Sequence, residues 1–421
     1  MTKPKDTFMS FCLAEKGLFR HHHLIWHGAA MLALKVGGVL TPHRRFGESY
    51  ILIEEGKIAQ VAVERPRFVD EVHSYDGCMA VPGFVDLHMH GCFGIDVMNA
   101  SSMRLRELAE RLPATGVTSF MPSTVSDDFS RLSSVIENVR VASEARIGAQ
   151  VLGVHLEGPY LNAENRGAHL LDQIRPPSIE EFKALYGKSQ GLLKRVTVAP
   201  EVVGGLGFIE DVSARFDVTV SIGHTNATFD EAFEAFDRGA KIVTHLFNGM
   251  RKLDHREPGV AGAALTRADV FVEAIVDLVH LHPATVRLIH RCKGAKRMLL
   301  VTDAMAAAGL SDGLYRLGRT QVSVKDGVAR LGDGVLAGSA LTMIQAVKNA
   351  VKVGIPLRDA LAMASDSPCE AMKFKGKGRL EQGFDADILI LDRRLNLVST
   401  YVGGKKHFDR DGGAHQLEDV G

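Results

Sequence analysis

The chain has 421 residues, 46% of them hydrophobic, which suits a large globular fold and argues against a small module or a disordered chain. Lys+Arg and Asp+Glu each number 50, so the formal charge is zero and nucleic acid is not the expected partner. No apolar run reaches the roughly 18 residues that span a membrane. The five cysteines (Cys12, Cys78, Cys92, Cys292, Cys369) are scattered and form no CxxC, which argues against a disulfide framework and for a reducing cytoplasm.

Residues 1–30 mix acidic and basic side chains into every apolar stretch and make a poor signal peptide. We read them as an extension outside the fold, and the run His21-His22-His23 as terminal sequence rather than a metal site. From Ala33 the chain becomes regular. Residues 34–36 and 50–58 read as a short β-meander with Glu55-Gly56 at a hairpin turn. The same texture returns at 387–392 and 397–402, with Gly403-Gly404 as the turn. The two ends, 31–80 and 380–421, are expected to meet in a small β-sandwich, with a catalytic domain over 81–379 inserted between them.

Inside that domain eight apolar, strand-like runs follow one another: 83–90, 118–122, 151–157, 196–201, 218–224, 242–247, 270–277 and 298–303. Helix-like segments separate them, among them 103–112, 129–145, 229–236 and 283–292. Eight alternating units in one domain predict a (β/α)8 barrel of the TIM type rather than an open doubly wound sheet. No GxGxxG opens a helix after a strand, so a dinucleotide site has no support. A Gly-rich insertion at about 313–334 carries a predicted hairpin at 322–328, and a helix at 341–353 completes the domain.

The polar residues that close these runs carry the chemistry. His88 and His90 end the first run in PGFVDLHMHG, and residues i and i+2 of a strand point to one side. Glu157 ends the third run, His224 the fifth, His245 falls in the sixth and Asp303 ends the eighth. Buried separately, each would be costly; gathered on a cation, they satisfy one another. A Glu157/His224/His245 set with a vacant position suits zinc or a similar divalent ion, and His88 with His90 supplies part of a second site. Asp303 is then placed to act as general base. His155 shares a side with Glu157 and is expected to support the centre rather than to bind.

PGFVDLHMHG, HLEGPYLN, GHTNAT, THLFNGM, HREPG, TDAM and LAGSALTM, in this order over residues 31–405, resemble the amidohydrolase superfamily and specifically its N-acetylglucosamine-6-phosphate deacetylases. The resemblance implies Glu157, His224 and His245 as principal metal ligands, His88 and His90 at a second metal, and Asp303 as proton shuttle. The metal it implies is Zn2+, one or two per subunit, with Fe2+, Mn2+ or Co2+ as alternatives. It further implies that His169 polarises the acetamide carbonyl. Ala168, Asn248, Gly249, Leu336, Ala337 and Gly338 would contact substrate, Arg256 would bind phosphate, and His280 would reach the phosphate from a neighbouring subunit. One departure stands out: the family's Asp-Gly-x-His is here Asp277-Leu278-Val279-His280.

The implied reaction is hydrolysis of the N-acetyl group of N-acetyl-D-glucosamine 6-phosphate to D-glucosamine 6-phosphate and acetate, in amino-sugar catabolism, by a homodimer or higher homo-oligomer. The galactosamine epimer or another N-acyl compound is the alternative substrate. A barrel without activity, serving as a scaffold, is the competing class; retention of all the metal-ligand candidates and Asp303 counts against it.

Overall fold

The computed structural model describes residues 30–410. The expected extension at 1–29 and the final residues 411–421 lie outside the described residues. Between them run eight parallel barrel strands: β1 (Phe84–Met89), β2 (Val117–Pro122), β3 (Val154–Glu157), β4 (Leu193–Val198), β5 (Thr219–Ile222), β6 (Ile242–Val243), β7 (Phe271–Ile275) and β8 (Met298–Val301). They are almost wholly buried, which is why they read as near-continuous apolar runs rather than as alternating strands.

Neighbours β1–β2 and β3 through β8 pair in parallel ladders. Two seams close the ring. Ser123 bridges to His155 between β2 and β3, and Met89 bridges to Ala304 between β8 and β1. At the second seam Asp303 N donates to His88 O at 2.9 Å and His90 N to Ala304 O at 2.7 Å. The barrel is therefore stitched shut at its C-terminal rim by the residues singled out for chemistry.

The expected helices appear as Ser102–Arg111, Phe129–Ser143, Phe229–Asp237, Pro283–Arg297 and Met343–Lys352. Their starts are set by local chemistry: Asp128 accepts from Arg131 N at 2.9 Å, and Thr228 with Glu231 forms a reciprocal capping box. Five further helices, Ile179–Ser189, Gly205–Arg215, Gly259–Thr266, Leu357–Ala364 and Asp366–Met372, were not singled out individually, though the expected alternation requires those after β3, β4 and β6. Among the described residues no helix is long and apolar enough to cross a membrane.

Strands from both chain ends do meet. They form one mixed sheet in the order Lys405–Asp409, Leu397–Val402, Ile388–Leu391, Glu71–Pro82, Met31–Leu40, Ser49–Glu54, Lys57–Ala62, with Arg45–Phe46 paired to Met31–Leu40. The Gly-rich insertion is a three-stranded antiparallel sheet, Gly313–Leu317, Thr320–Lys325 and Val328–Arg330. Its expected hairpin turns at Asp326-Gly327, both at positive φ (52° and 72°), the combination that two-residue hairpins require. This small sheet stands over the C-terminal rim of the barrel and walls one side of the cavity there.

Candidate active site

Side chains from the ends of five barrel strands, joined by His169 from the loop after β3, converge at that rim. Glu157 lies at the centre. Its Oε2 is 3.1 Å from His90 Nε2 and 3.3 Å from His88 Nε2, and its Oε1 is 3.3 Å from both His224 Nε2 and His245 Nε2. Asp303 Oδ1 is 3.2 Å from His90 Nε2 and 3.6 Å from His88 Nε2. His169 Nε2 stands 3.8 Å from Glu157 Oε2. All of these residues are buried.

The second nitrogen of each ring decides what the first can do. His88 Nδ1 faces Glu273 Oε2 at 3.1 Å, His90 Nδ1 faces Ser123 O at 3.2 Å, His224 Nδ1 faces Asn165 O at 2.9 Å, and His245 Nδ1 faces Asn248 O at 3.1 Å. Those partners are acceptors only, so each Nδ1 carries a proton and, with the ring neutral as a metal ligand must be, each Nε2 turns a bare lone pair inward. Metal-binding histidines are fixed in this way. His169 is the reverse. Its Nδ1 accepts from Ser126 N at 2.9 Å, so its Nε2 carries the proton and points into the cavity as a donor. Proximity alone would group His169 with Glu157 and His224 as a ligand set. Its tautomer removes it, and His245 takes that place.

Bare nitrogens 3.3 Å apart at His88/His90 and 3.0 Å apart at His224/His245 repel unless a cation lies between them. Glu157 Oε1 is buried with no hydrogen-bond partner. Burial pulls His88 down, yet the Glu157, Glu273 and Asp303 carboxylates hold it well above the ordinary histidine value. The carboxylates thus favour positive charge at this point, and a divalent ion supplies it without protonating the ring. The donor set, imidazole nitrogen with carboxylate oxygen, fits zinc and its neighbours. Burial opposes ionisation of Glu157, but His88 and the other imidazoles keep its carboxyl well below the usual range. His169 is pushed well below its ordinary value by burial and then by His224, so it stays neutral.

The backbone is held against its preference here. His224, His245 and Asp303 have φ of 48°, 29° and 48°. Non-glycine residues in such conformations cost on the order of 1–3 kcal/mol and cluster at functional sites. Gly249 has a matching reason to be glycine, since a Cβ there would sit 2.9 Å from His224 Nδ1.

A cavity of about 280 Å³ opens above the centre. Of the residues singled out in the sequence, His90, Glu157, Ala168, His169, His224, His245, Asn248, Gly249, His280, Asp303, Leu336 and Gly338 line it. His88 lies behind them, fully buried. His155 supports from below, with its ring nitrogens on Ser123 Oγ at 2.9 Å and Thr197 Oγ1 at 2.7 Å.

Three of the expected residues sit differently from the rest. Ala337 is fully buried and off the cavity wall, because its backbone joins the inserted sheet through Ala337 N to Ala329 O at 3.2 Å. Arg256 is exposed and outside this cavity, on a loop whose Asp254 carboxylate accepts the Arg256 backbone N–H at 2.8 Å. His280 reaches the cavity of its own chain, so no neighbouring subunit is needed to deliver it. Asp277 Oδ1 accepts from the backbone N–H of Val279 (2.9 Å) and of His280 (2.8 Å), and Asp277 Oδ2 holds His280 Nδ1 at 2.6 Å. Leu278 takes φ 67°, the conformation glycine adopts freely, so the turn survives the altered residue under strain.

Sequence reasoning missed Ser126, Arg195 and Glu273, which hold the histidines, and Val125, Gly167, Phe247, Leu317 and Val335 in the cavity wall. A charged residue inside an otherwise apolar strand, as in FVEAI, is the signal that could have found Glu273, whereas in LKRVTV Lys194 stands beside Arg195 and blurs it.

Comparison with known proteins agrees with this geometry. The Amidohydrolase family matches residues 79–412. The N-acetylglucosamine-6-phosphate deacetylase of Vibrio furnissii is 36% identical over 83% of this chain and 91% of its own length. The N-acetylgalactosamine-6-phosphate deacetylase of Escherichia coli O157:H7 is also 36% identical, over 88% of this chain and 98% of its own. A structure of the N-acetyl-D-glucosamine-6-phosphate deacetylase of Mycobacterium smegmatis in complex with N-acetyl-D-glucosamine-6-phosphate superposes with a TM-score of 0.84 at 34% identity, covering 90% of this chain and 99% of that one. The chain belongs to the amidohydrolase family and, within it, to the N-acetylglucosamine-6-phosphate deacetylases.

Proposed function

We propose that this enzyme hydrolyses the N-acetyl group of N-acetyl-D-glucosamine 6-phosphate, giving D-glucosamine 6-phosphate and acetate in amino-sugar catabolism. The observation that carries the reading is the tautomer contrast: four imidazoles offer lone pairs to one centre while His169 alone offers a proton beside it. A carbonyl oxygen that gains negative charge during amide hydrolysis needs such a preorganised donor.

Glu157, His224 and His245 would hold the principal ion, Zn2+ being our choice, and His88 with His90 a second. When bound, such an ion supplies Lewis-acid polarisation and makes water acidic enough to attack near neutral pH. His169 Nε2–H donates to the acetamide oxygen and stays neutral as it does so. Burial would raise Asp303, but His88 and His90 hold it below the ordinary carboxylate value, so it is ionised and able to take a proton. Asp303 Oδ1 accepts that proton from water and passes it to the leaving amine, which departs as glucosamine 6-phosphate. The walls from Leu317, Val335 and Leu336 restrict water around the reacting amide.

His280 would meet the phosphate end of the substrate, with Ala168, Asn248, Gly249, Leu336 and Gly338 along the sugar, a reading supported by their shared place on the cavity wall. Exposure of Arg256 outside its own cavity supports service to a second copy of the chain, in keeping with a homodimer. We assign the enzyme to the cytoplasm, and divide it into a barrel domain (81–379) and a small two-layered sandwich from both ends. A separate apolar cluster supports the sandwich, because it gathers Leu34, Ile53 and Ile58 with Ile388, Ile390 and Val398.

The galactosamine epimer remains the second reading, since the E. coli O157:H7 relative is as similar as the V. furnissii one. Acetate release from the two epimeric sugar phosphates, measured side by side on metal-replete enzyme, decides between them. Release from neither overturns the proposal.

A further inference from the structure

Beneath the centre, where barrel interiors normally stack branched apolar side chains, lies an ion pair. Arg195 on β4 and Glu273 on β7 are both 0% exposed and are joined through Nη1 and Oε1. The remaining Arg195 donors are also used: Nε bonds Ser221 Oγ at 2.7 Å on β5, and Nη2 bonds Thr244 Oγ1 at 3.0 Å just past β6. The fork therefore ties three strands to Glu273. Glu273 Oε2 then makes two contacts of its own, with His88 Nδ1 at 3.1 Å and with the backbone N–H of His245 at 3.1 Å. One carboxylate oxygen thus touches a member of each half of the centre.

Stability does not explain this arrangement. Taking two charges out of water is costly, and well-packed apolar residues in place of a buried pair often leave a protein as stable or more so. Position does explain it. A carboxylate on the far nitrogen fixes a ligand histidine's tautomer and ring orientation, and losing such a partner typically weakens metal binding by about 10–100-fold.

We propose that Arg195 and Glu273 are positioning residues that lock His88 and His245 together, so that both halves of the centre present their nitrogens in register. This rests on the metal reading of the site and not on the identity of the substrate. Arg195 fixes Glu273 by a planar fork that lysine lacks, and Glu273 transmits that fix to the imidazole of His88.

The test uses full-length protein stripped of metal, titrated with Zn2+ against a competing chelator, with thermal unfolding measured in parallel. The double variant Arg195→Met/Glu273→Leu should fold with an unchanged or higher Tm yet bind Zn2+ about 10–100-fold more weakly. Arg195→Lys and Glu273→Gln should each weaken Zn2+ binding several-fold, and should shift the visible spectrum of the Co2+-loaded protein, which reports ligand geometry. Wild-type Zn2+ affinity and an unchanged Co2+ spectrum in a folded double variant would make the pair merely structural and overturn the proposal. Should the double variant not fold, the single variants overturn it equally if their Tm falls while Zn2+ affinity and Co2+ spectrum stay put. A wild-type chain that binds neither Zn2+ nor Co2+ overturns this proposal and the metal reading together. A chain that binds metal but releases no acetate overturns only the substrate assignment.

Discussion

Two clusters of titratable side chains in this molecule, one of lysine and aspartate and one of histidine with carboxylates, differ in what they leave open. In the sheet built from the chain ends, Lys377 Nζ sits 2.8 Å from Asp385 Oδ2 and 2.9 Å from Asp387 Oδ2. Lys57 takes the other oxygen of Asp385, and Gly403 N donates to the other oxygen of Asp387 at 2.9 Å. Every charge there has its partner inside the cluster. At the barrel rim, four lone pairs face one another and Glu157 Oε1 has no hydrogen-bond partner. A closed network holds a fold together, whereas an open one is waiting for something from solution.

That contrast is broken or sharpened most strongly at the centre itself. Glu157→Gln, His224→Ala or His245→Ala should lower bound metal and activity together, to near background for activity, with His88→Ala costing less. Elemental analysis beside acetate release checks this, and activity that survives exhaustive chelation would sink the mechanism. Asp303→Asn should keep the metal on the Glu157 side and the fold, and lose about 10²–10⁴-fold in kcat. A near wild-type rate would remove Asp303 from its role.

The closed cluster should answer in a different currency. Lys377→Met leaves the buried Asp387 carboxylate without its cation, while Asp385 keeps Lys57, and should cost about 3–5 kcal/mol of folding stability while sparing kcat of the folded fraction. Denaturant unfolding with parallel kinetics reads both. A fall in kcat larger than the fall in folded fraction would show the two regions to be coupled.

Smaller effects sharpen the comparison at the cavity mouth. Burial lowers His280, but the Asp277 carboxylate lifts it above the ordinary histidine value, so it stays protonated to higher pH than a free imidazole. If His280 meets the phosphate as proposed, its protonated form attracts the dianion, and that attraction is lost as pH rises through the raised pKa. KM for the 6-phosphate should therefore climb by about tenfold on the alkaline side, a limb absent from the unphosphorylated sugar and from His280→Asn. Leu278→Gly relieves a left-handed leucine but removes its packing against the barrel core, and the two terms should nearly cancel, within about 1 kcal/mol by Tm.

The barrel was readable because burial on both faces writes its strands as eight apolar runs, six of them closed by a polar residue. Two of the helices not singled out in the sequence lacked a legible period for a related reason. Gly259–Thr266 (GVAGAALT) is buried along most of its length and has no polar face to set a period, and Gly205–Arg215 opens on two glycines. In the site, His88, His90, Glu157, His224, His245 and Asp303 could be found from strand ends alone, and His169 only by resemblance. Apart from Asn248, three residues from His245, what no pattern carried was the partner of the second ring nitrogen, because those partners lie far apart in the chain: Ser126 is 43 residues from His169, and Glu273 is 185 from His88. The left-handed φ of Leu278 was equally hidden, since leucine gives no warning of it.

The sheet that joins the chain ends has a consequence for how the protein is made. Strand Glu71–Pro82 pairs on one side with Met31–Leu40, already synthesised, and on the other with Ile388–Leu391, about 300 residues later. At ~5–20 residues per second, the ribosome delivers that second partner roughly 15–60 s after the strand itself. For that interval Met79, Ala80 and Val81 offer an apolar, unpaired edge, a template on which another nascent chain can add a strand. Yield of this enzyme should therefore be governed by translation speed and by chaperones that shield the edge, with slow elongation through the barrel lengthening the exposure.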